Sequence, residues 1–161
     1  MIKLNYVKSH EREDKMYIRK FKDEDIDIVM SIWFRSTIVG HPFIPEFYWR
    51  CNYNTVKKEY LPNSKTFVYE ENNSIKGFIS IVDEGYIGAI FVEPTSQSKG
   101  IGKMLLDYVK KEYNDLTLSV YKDNKKAYRF YEKALFEPIE ERKNEDSGFM
   151  EVLMKYTSRE I

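Results

Sequence analysis

The chain has 161 residues, with 26 basic residues against 26 acidic ones, one cysteine and 16% aromatic residues. Zero net charge gives no electrostatic case for a nucleic-acid partner, which clustered Lys and Arg would supply, and a lone Cys51 excludes an intrachain disulfide. No apolar run approaches the ~20 residues that cross a bilayer, and Met1 to Lys15 is too polar for a signal peptide, so a cytoplasmic protein with no membrane partner is expected.

A chain of this length buries about two-thirds of its unfolded surface around one core. A single domain over residues 1–161 follows, with residues 1–15 as an extended arm. Met16 to Phe21 reads as a first strand. Asp23-Glu24-Asp25 caps a helix whose apolar face is Ile26, Val29, Met30 and Trp33. Gly40-His41-Pro42-Phe43-Ile44-Pro45 breaks that helix. A second one carries Trp49, Tyr53, Val56 and Tyr60, holds Cys51 as filler, and ends at Pro62. Thr66 to Glu70 and Ser74 to Val82 form a hairpin around Asn72-Asn73. Tyr86 to Val92 is apolar without alternation, the pattern of a central strand buried on both faces.

The stretch Gln97-Ser98-Lys99-Gly100-Ile101-Gly102 follows that strand. It opens a segment with apolar residues at Ile101, Met104, Leu105, Tyr108 and Val109, the period of a helix with one buried face. Gly100 and Gly102 let the backbone turn tightly and approach a ligand. The free N–H groups of the first helical turn, with the positive end of the helix dipole, form an anion site. Lys99 and Lys103 add charge. A Walker A loop would need Gly at position 97 and Ser or Thr at 104, held here by Gln97 and Met104. A dinucleotide fingerprint would need Gly at 105, held by Leu105. Downstream, Leu116 to Val120 alternates as a strand. Asn124 then caps a helix with Ala127, Phe130, Tyr131 and Ala134 on one face. A last hairpin, Glu137 to Glu145 and Gly148 to Tyr156, turns at Asp146-Ser147-Gly148.

The loop Q-x-x-G-x-G on a strand–turn–helix resembles the acetyl-CoA-binding loop of the GNAT superfamily of N-acetyltransferases. About 30 residues on, NKKAYRFYEKALF from Asn124 to Phe136 is similar to that family's N-x-x-A-x-x-F-Y-x-K-x-G-F. The likeness runs from Thr66 to Tyr156 and is loose before it, although His41 to Trp49 is similar to a bacterial subgroup with H-x-F-(I/L) and an aromatic-rich helix. The resemblance implies an α/β GNAT-like acyl-CoA N-acyltransferase fold, with a twisted, mostly antiparallel sheet and a splayed central strand pair. It implies acetyl-CoA as cosubstrate, no metal, and transfer of acetyl to a primary amine by direct attack in a ternary complex.

By the same resemblance the cofactor lies on Ile90, Phe91, Val92, on Gln97, Ser98, Lys99, Gly100, Ile101, Gly102, Lys103, and on Asn124. A bulge near Phe91 and Val92 splays the sheet and presents an oxyanion donor. Tyr131 is the family's acid; on periodicity alone it reads as a core tyrosine. His41, which titrates in the useful range, is either the base or a structural loop histidine. Glu84 is either a base acting through water or a solvated turn residue. Phe43, Tyr48 and Trp49 either wall an acceptor pocket or pack the helices onto the sheet. A small cationic amine is the expected acceptor, held by cation–π contact, on a monomer or homodimer. The alternative is a non-catalytic acyl-CoA sensor. Two departures stand out: Leu135 replaces the family Gly, predicting a different turn after the helix, and Ser98 replaces a frequent Gly, at small cost if its dihedrals are ordinary.

Overall fold

Two asparagines with left-handed backbone, Asn72 at φ 50° and Asn73 at φ 64°, join strand β2 (Lys65–Glu71) to β3 (Ser74–Val82). Consecutive positive φ at a two-residue turn matches the right-handed twist of the strands it connects. β1 (Met16–Lys20) pairs with β2, and β4 (Tyr86–Val92) pairs with β3, all antiparallel. β5 (Asp115–Tyr121), β6 (Glu137–Lys143) and β7 (Met150–Thr157) complete one seven-stranded sheet in the order β1-β2-β3-β4-β5-β7-β6. These positions come from a computed structural model that describes residues 15–159. The expected arm lies outside the described residues except for Lys15.

Alternation within the strands sends side chains to two cores. Phe67, Tyr69, Ile79 and Ile81 face α3 (Ile101–Lys110), along with Leu105, Leu116, Phe136 and Met154. Val68 and Phe78 face the other way, against Val29, Met30, Trp33 and Trp49 of α1 (Ile26–Gly40) and α2 (Glu46–Thr55). α2 runs on as a π-helical turn, Val56–Tyr60, before Pro62. Ahead of α1, the buried carboxylate of Asp25 accepts the Lys22 N–H at 2.8 Å and two Arg19 guanidinium N–H groups at 2.7 and 3.0 Å. Arg19 holds its pKa below the usual carboxylate range.

α4 (Lys125–Lys133) ends in the left-handed turn that a glycine would favour, which corrects the expectation of a different turn. Leu135 takes φ 70°. The Leu135 N–H reaches the Glu132 carbonyl and the Phe136 N–H reaches the Tyr131 carbonyl, both at 3.0 Å. That is the Schellman arrangement. Burial of Phe136, 1% exposed, holds the turn in place despite the left-handed strain on a branched residue.

The break in the sheet falls between β4 and β5. They are parallel and share the single pairing Tyr86 with Thr117, beside a 3.0 Å bond from the Thr117 N–H to the Gly85 carbonyl. Beyond it the strands diverge. So β4 is not buried on both faces, as its composition predicts: Ile87 is buried, but Gly88 is exposed and the residues after it are half-buried along an opening. The bulge also lies earlier than expected. Ser80 pairs with Ala89 and Ile81 with Ile87, leaving Gly88 as the extra residue. A side chain there would meet Val82 at 2.9 Å, so the bulge suits glycine.

Candidate active site

The divergence of β4 and β5 opens a cleft of about 580 Å³ through the sheet. One wall carries backbone groups. The Glu93 N–H donates to the Lys76 carbonyl of β3 at 2.7 Å. By alternation Phe91 also faces β3, and a side chain on Gly77 would lie 3.0 Å from the Phe91 carbonyl. Ile90 and Val92 therefore turn their N–H and C=O toward the gap left by β5. The Val92 carbonyl accepts from Ser36 Oγ at 2.9 Å and from Gln97 Nε2 at 3.2 Å. Arg35 and the buried Glu93 form a bidentate ion pair that fixes α1 to the end of β4.

The loop that follows holds two left-handed residues, Ser98 at φ 65° and Gly100 at φ 82°. The dihedrals of Ser98 are thus not ordinary, and the serine is strained where the family often has glycine. Gly100 precedes Ile101 with no side-chain cap on the helix. The first intrahelical bond runs from the Met104 N–H to the Gly100 carbonyl. The N–H groups of Ile101, Gly102 and Lys103 are the orphan donors of that first turn, an anion cradle beside the positive helix end. The two glycines differ in purpose. Around Gly100 there is open space, and its φ is what requires glycine; a side chain on Gly102 would meet Phe130 at 3.1 Å, so Gly102 lets α3 pack on α4. Lys103 pairs with Asp107 at 2.7 Å, and Lys99 is exposed.

α4 brings Asn124, Lys126, Phe130 and Tyr131 to the cleft. Asn124 Oδ1 accepts the Ala127 N–H at 3.2 Å and so caps the helix. Its Nδ2 lies 3.3 Å from His41 Nε2. Lys126 Nζ reaches Gln97 Oε1 at 3.5 Å. The Tyr131 ring stands edge-on to Phe130 and Phe136, with centroids 5.3 and 5.8 Å away. Burial pushes its phenol pKa well up, so the hydroxyl stays protonated. No hydrogen bond to it is made among the described residues.

Across the sheet the wall is aromatic. His41 follows α1, is 8% exposed, and lies against Trp49 (5.1 Å), Tyr121 (5.3 Å) and Phe43 (5.8 Å). Its Nδ1 is 2.7 Å from the Thr37 carbonyl. Burial lowers its pKa, partly opposed by that bond. Trp33, Trp49 and Tyr121 line the cleft. Trp49 is buried, and its Nε1 finds no partner among the described residues. Phe43 and Tyr48 stand behind this wall. Phe43 packs on Tyr121 and on Phe149, and Tyr48 donates to Asp146 at 2.7 Å, tying α2 to the β6–β7 turn.

The cleft thus gathers Ile90 to Val92, most of Gln97 to Lys103, Asn124, Tyr131, His41 and Trp49, as read from the sequence. It leaves out Lys99, Phe43 and Tyr48. Glu84 is exposed in the turn before β4, at the closed end of the strand pair, and is not a wall residue. Cys51 is exposed on α2. Lys126 falls at an open position of the Asn124 to Phe136 pattern, and Ser36, Thr37, Trp33 and Tyr121 were not legible as site residues. They are single side chains on ordinary helix and strand positions, with no local pattern to mark them. No three His, Cys, Asp or Glu side chains among the described residues are grouped to hold a metal ion. No helix among them is long and apolar enough to cross a membrane.

A sheet opened beside a glycine-turned helix N-terminus, with a tyrosine facing the gap, defines an acyl-CoA N-acyltransferase. Residues 20–158 match the family described as Acetyltransferase (GNAT) domain, and the chain belongs to that family. It is an N-acetyltransferase with acetyl-CoA as cosubstrate, which sets aside the non-catalytic alternative. Peptidyl-lysine N-acetyltransferase YiaC of Escherichia coli (strain K12) is 37% identical over 115 residues, 71% of this chain and 79% of that protein. Peptidyl-lysine N-acetyltransferase YjaB of Salmonella typhimurium is 28% identical over 132 residues, 81% of this chain and 90% of that protein. The solution structure of apo YjaB from Escherichia coli covers 90% of this chain and 99% of its own at TM-score 0.79 and 22% identity. PaiA N-acetyltransferase from Thermoplasma acidophilum, solved with coenzyme A, covers 89% and 99% at TM-score 0.74 and 20% identity.

Proposed function

We propose that the acceptor is the ε-amine of a lysine side chain carried on a peptide or protein, rather than the small free amine that the aromatic segment alone suggests. The observation that carries this is the 37% identity to a protein named for peptidyl-lysine acetylation. The cleft supports it. Among the described residues its lining includes no Asp or Glu, while Trp33, Trp49 and Tyr121 contribute aromatic rings. Such a wall suits the apolar stem and single charge of an aminoalkyl tip. A polyamine would find no carboxylate there for its second ammonium.

In this reading the pyrophosphate of acetyl-CoA lies on the N–H groups of Ile101 to Lys103, and the pantetheine arm pairs with the free edge of β4 at Ile90 and Val92 like an added strand. A neutral amine attacks the thioester carbonyl. The N–C bond forms, the oxyanion gathers on a β4 N–H, and the C–S bond then breaks. The sulfur leaves with a proton from Tyr131, whose poorly solvated phenol stays protonated across the working range until then. The amine's proton goes to His41 Nε2 as that nitrogen gives up its bond from the Asn124 amide; among the described residues lining the cleft, His41 is the one whose type titrates near neutrality.

Incubating the protein with acetyl-CoA and either a lysine-containing peptide or free spermidine, with products read by mass spectrometry, tests the acceptor. Acetylation at the lysine, with the peptide preferred at least tenfold in kcat/KM, is expected. Preference for the free polyamine would overturn it.

A further inference from the structure

Asn124 joins the two walls. Its Oδ1 accepts the Ala127 N–H at 3.2 Å, and that bond settles which way round the amide lies. With oxygen and nitrogen exchanged, an NH2 group would face an N–H. Nδ2 therefore faces His41 Nε2 at 3.3 Å. An amide NH2 only donates, so Nε2 is the acceptor. The single proton of the neutral ring is then on Nδ1, where it donates to the Thr37 carbonyl at 2.7 Å. An unbroken chain of hydrogen bonds runs from the last turn of α1 through the imidazole to the first turn of α4.

We infer that Asn124 is a positioning residue for His41: it fixes the Nδ1–H tautomer, holds Nε2 as an acceptor in the cleft, and opposes protonation of the ring. A proton on Nε2 would set an N–H against the amide NH2, so the bond stabilises the neutral form. Burial acts in the same direction. The ring packs on Phe43, Trp49 and Tyr121, and no carboxylate among the described residues acts on it to offset this. Tyr121 is the titratable group in contact, and Asp146 and Glu151 act on Tyr121. Lys103 and Lys126 line the same cleft. A contact with the cofactor, as the resemblance implies for this asparagine, would not need a defined imidazole tautomer. The tautomer follows from the bonds at Nδ1 and Nε2. Only its bearing on rate rests on His41 being the base.

Long-range 15N–1H spectra of the full chain test this, since His41 and His10 are its two histidines. Wild type is expected to show the Nδ1–H tautomer and a low midpoint for His41. Asn124→Ser keeps an N-cap oxygen for Ala127 but removes the amide. It should raise the midpoint by roughly one unit. Asn124→Asp also keeps the cap, places a carboxylate against Nε2, and should raise it further. The acid limb of kcat/KM should move with each midpoint. An Nε2–H tautomer in wild type, or one midpoint shared by all three proteins, would overturn the inference. Midpoints that move while the acid limb stays fixed would support the role of Asn124 and remove His41 as the base.

Discussion

The two walls of the cleft, proposed here to take the cofactor and the acceptor, are made of different material. On the cofactor side the polar groups are main chain: the edge of β4 at Ile90 and Val92, and the orphan N–H groups at the start of α3. On the acceptor side they are side chains drawn from α1, α2, β5 and the loop after α1, with Trp33, His41 and Tyr121 each in ring contact with Trp49. Backbone groups are identical in every residue, so the first wall depends on conformation, set by Gly100 and by the bulge at Gly88. The second depends on which residues converge. One wall is therefore broken by changing a dihedral angle, the other by changing a ring.

Tyr131 sits between the walls and should show the largest effect. Tyr131→Phe keeps the ring contacts with Phe130 and Phe136 and deletes one hydroxyl. A fall in kcat of roughly 100-fold is expected, the low end for general acid–base steps, with the calorimetric Kd for acetyl-CoA nearly unchanged. Unaltered turnover would make Tyr131 a packing residue only.

Gly100→Ala tests the backbone wall alone, because the added methyl meets open space and acts only through φ 82°. A left-handed alanine costs about 1–2 kcal/mol. That cost should appear as roughly tenfold weaker acetyl-CoA binding, as lower stability, or as both, with the peptide KM unmoved. Gly102→Ala would be a poorer probe, since it also pushes on Phe130.

Acid should weaken the aromatic wall. Folding lowers the His41 pKa through burial. The unfolded chain takes up that proton near pH 6.5, whereas the folded chain resists it. Below that point the unfolded state binds more protons, so stability falls with pH from about 6.5 down to the folded midpoint. Denaturant midpoints across this range should fall less in His41→Asn than in wild type.

The smallest effect is outside both walls. Leu135→Gly relieves left-handed strain at a side chain that is 65% exposed. The gain, about 1 kcal/mol or less after the added freedom of the unfolded chain, should raise the thermal midpoint with kinetics unchanged.

The contrast between the walls also explains how much could be read from the sequence. Gln97 to Gly102 and Asn124 to Phe136 are contiguous, and each encodes a local conformation, so loop, helix start and cap were legible. The hairpin at Asn72-Asn73 was legible for the same reason. Ser36 and Tyr121 reach the cleft through the sheet's topology, which no short window contains, and Lys126 sits at a position that the Asn124 to Phe136 pattern leaves open. Phe43 and Tyr48 share an aromatic stretch with Trp49, but helix geometry and the β6–β7 turn put them one layer back. β4 looked doubly buried because its composition cannot show that its neighbour swings away after one rung. Leu135 and Ser98 carry left-handed angles that their residue types argue against; tertiary packing of Phe136 and the loop's junction with α3 decide there.

Both walls border one opening, so acetyl-CoA and acceptor must occupy it together for direct transfer. Initial rates measured as a grid of acetyl-CoA against lysine-peptide concentration test this most directly. Double-reciprocal lines that intersect are predicted, as for a ternary complex. Parallel lines, with acetyl retained on the protein when acceptor is withheld, would contradict it and point to a covalent acetyl-enzyme.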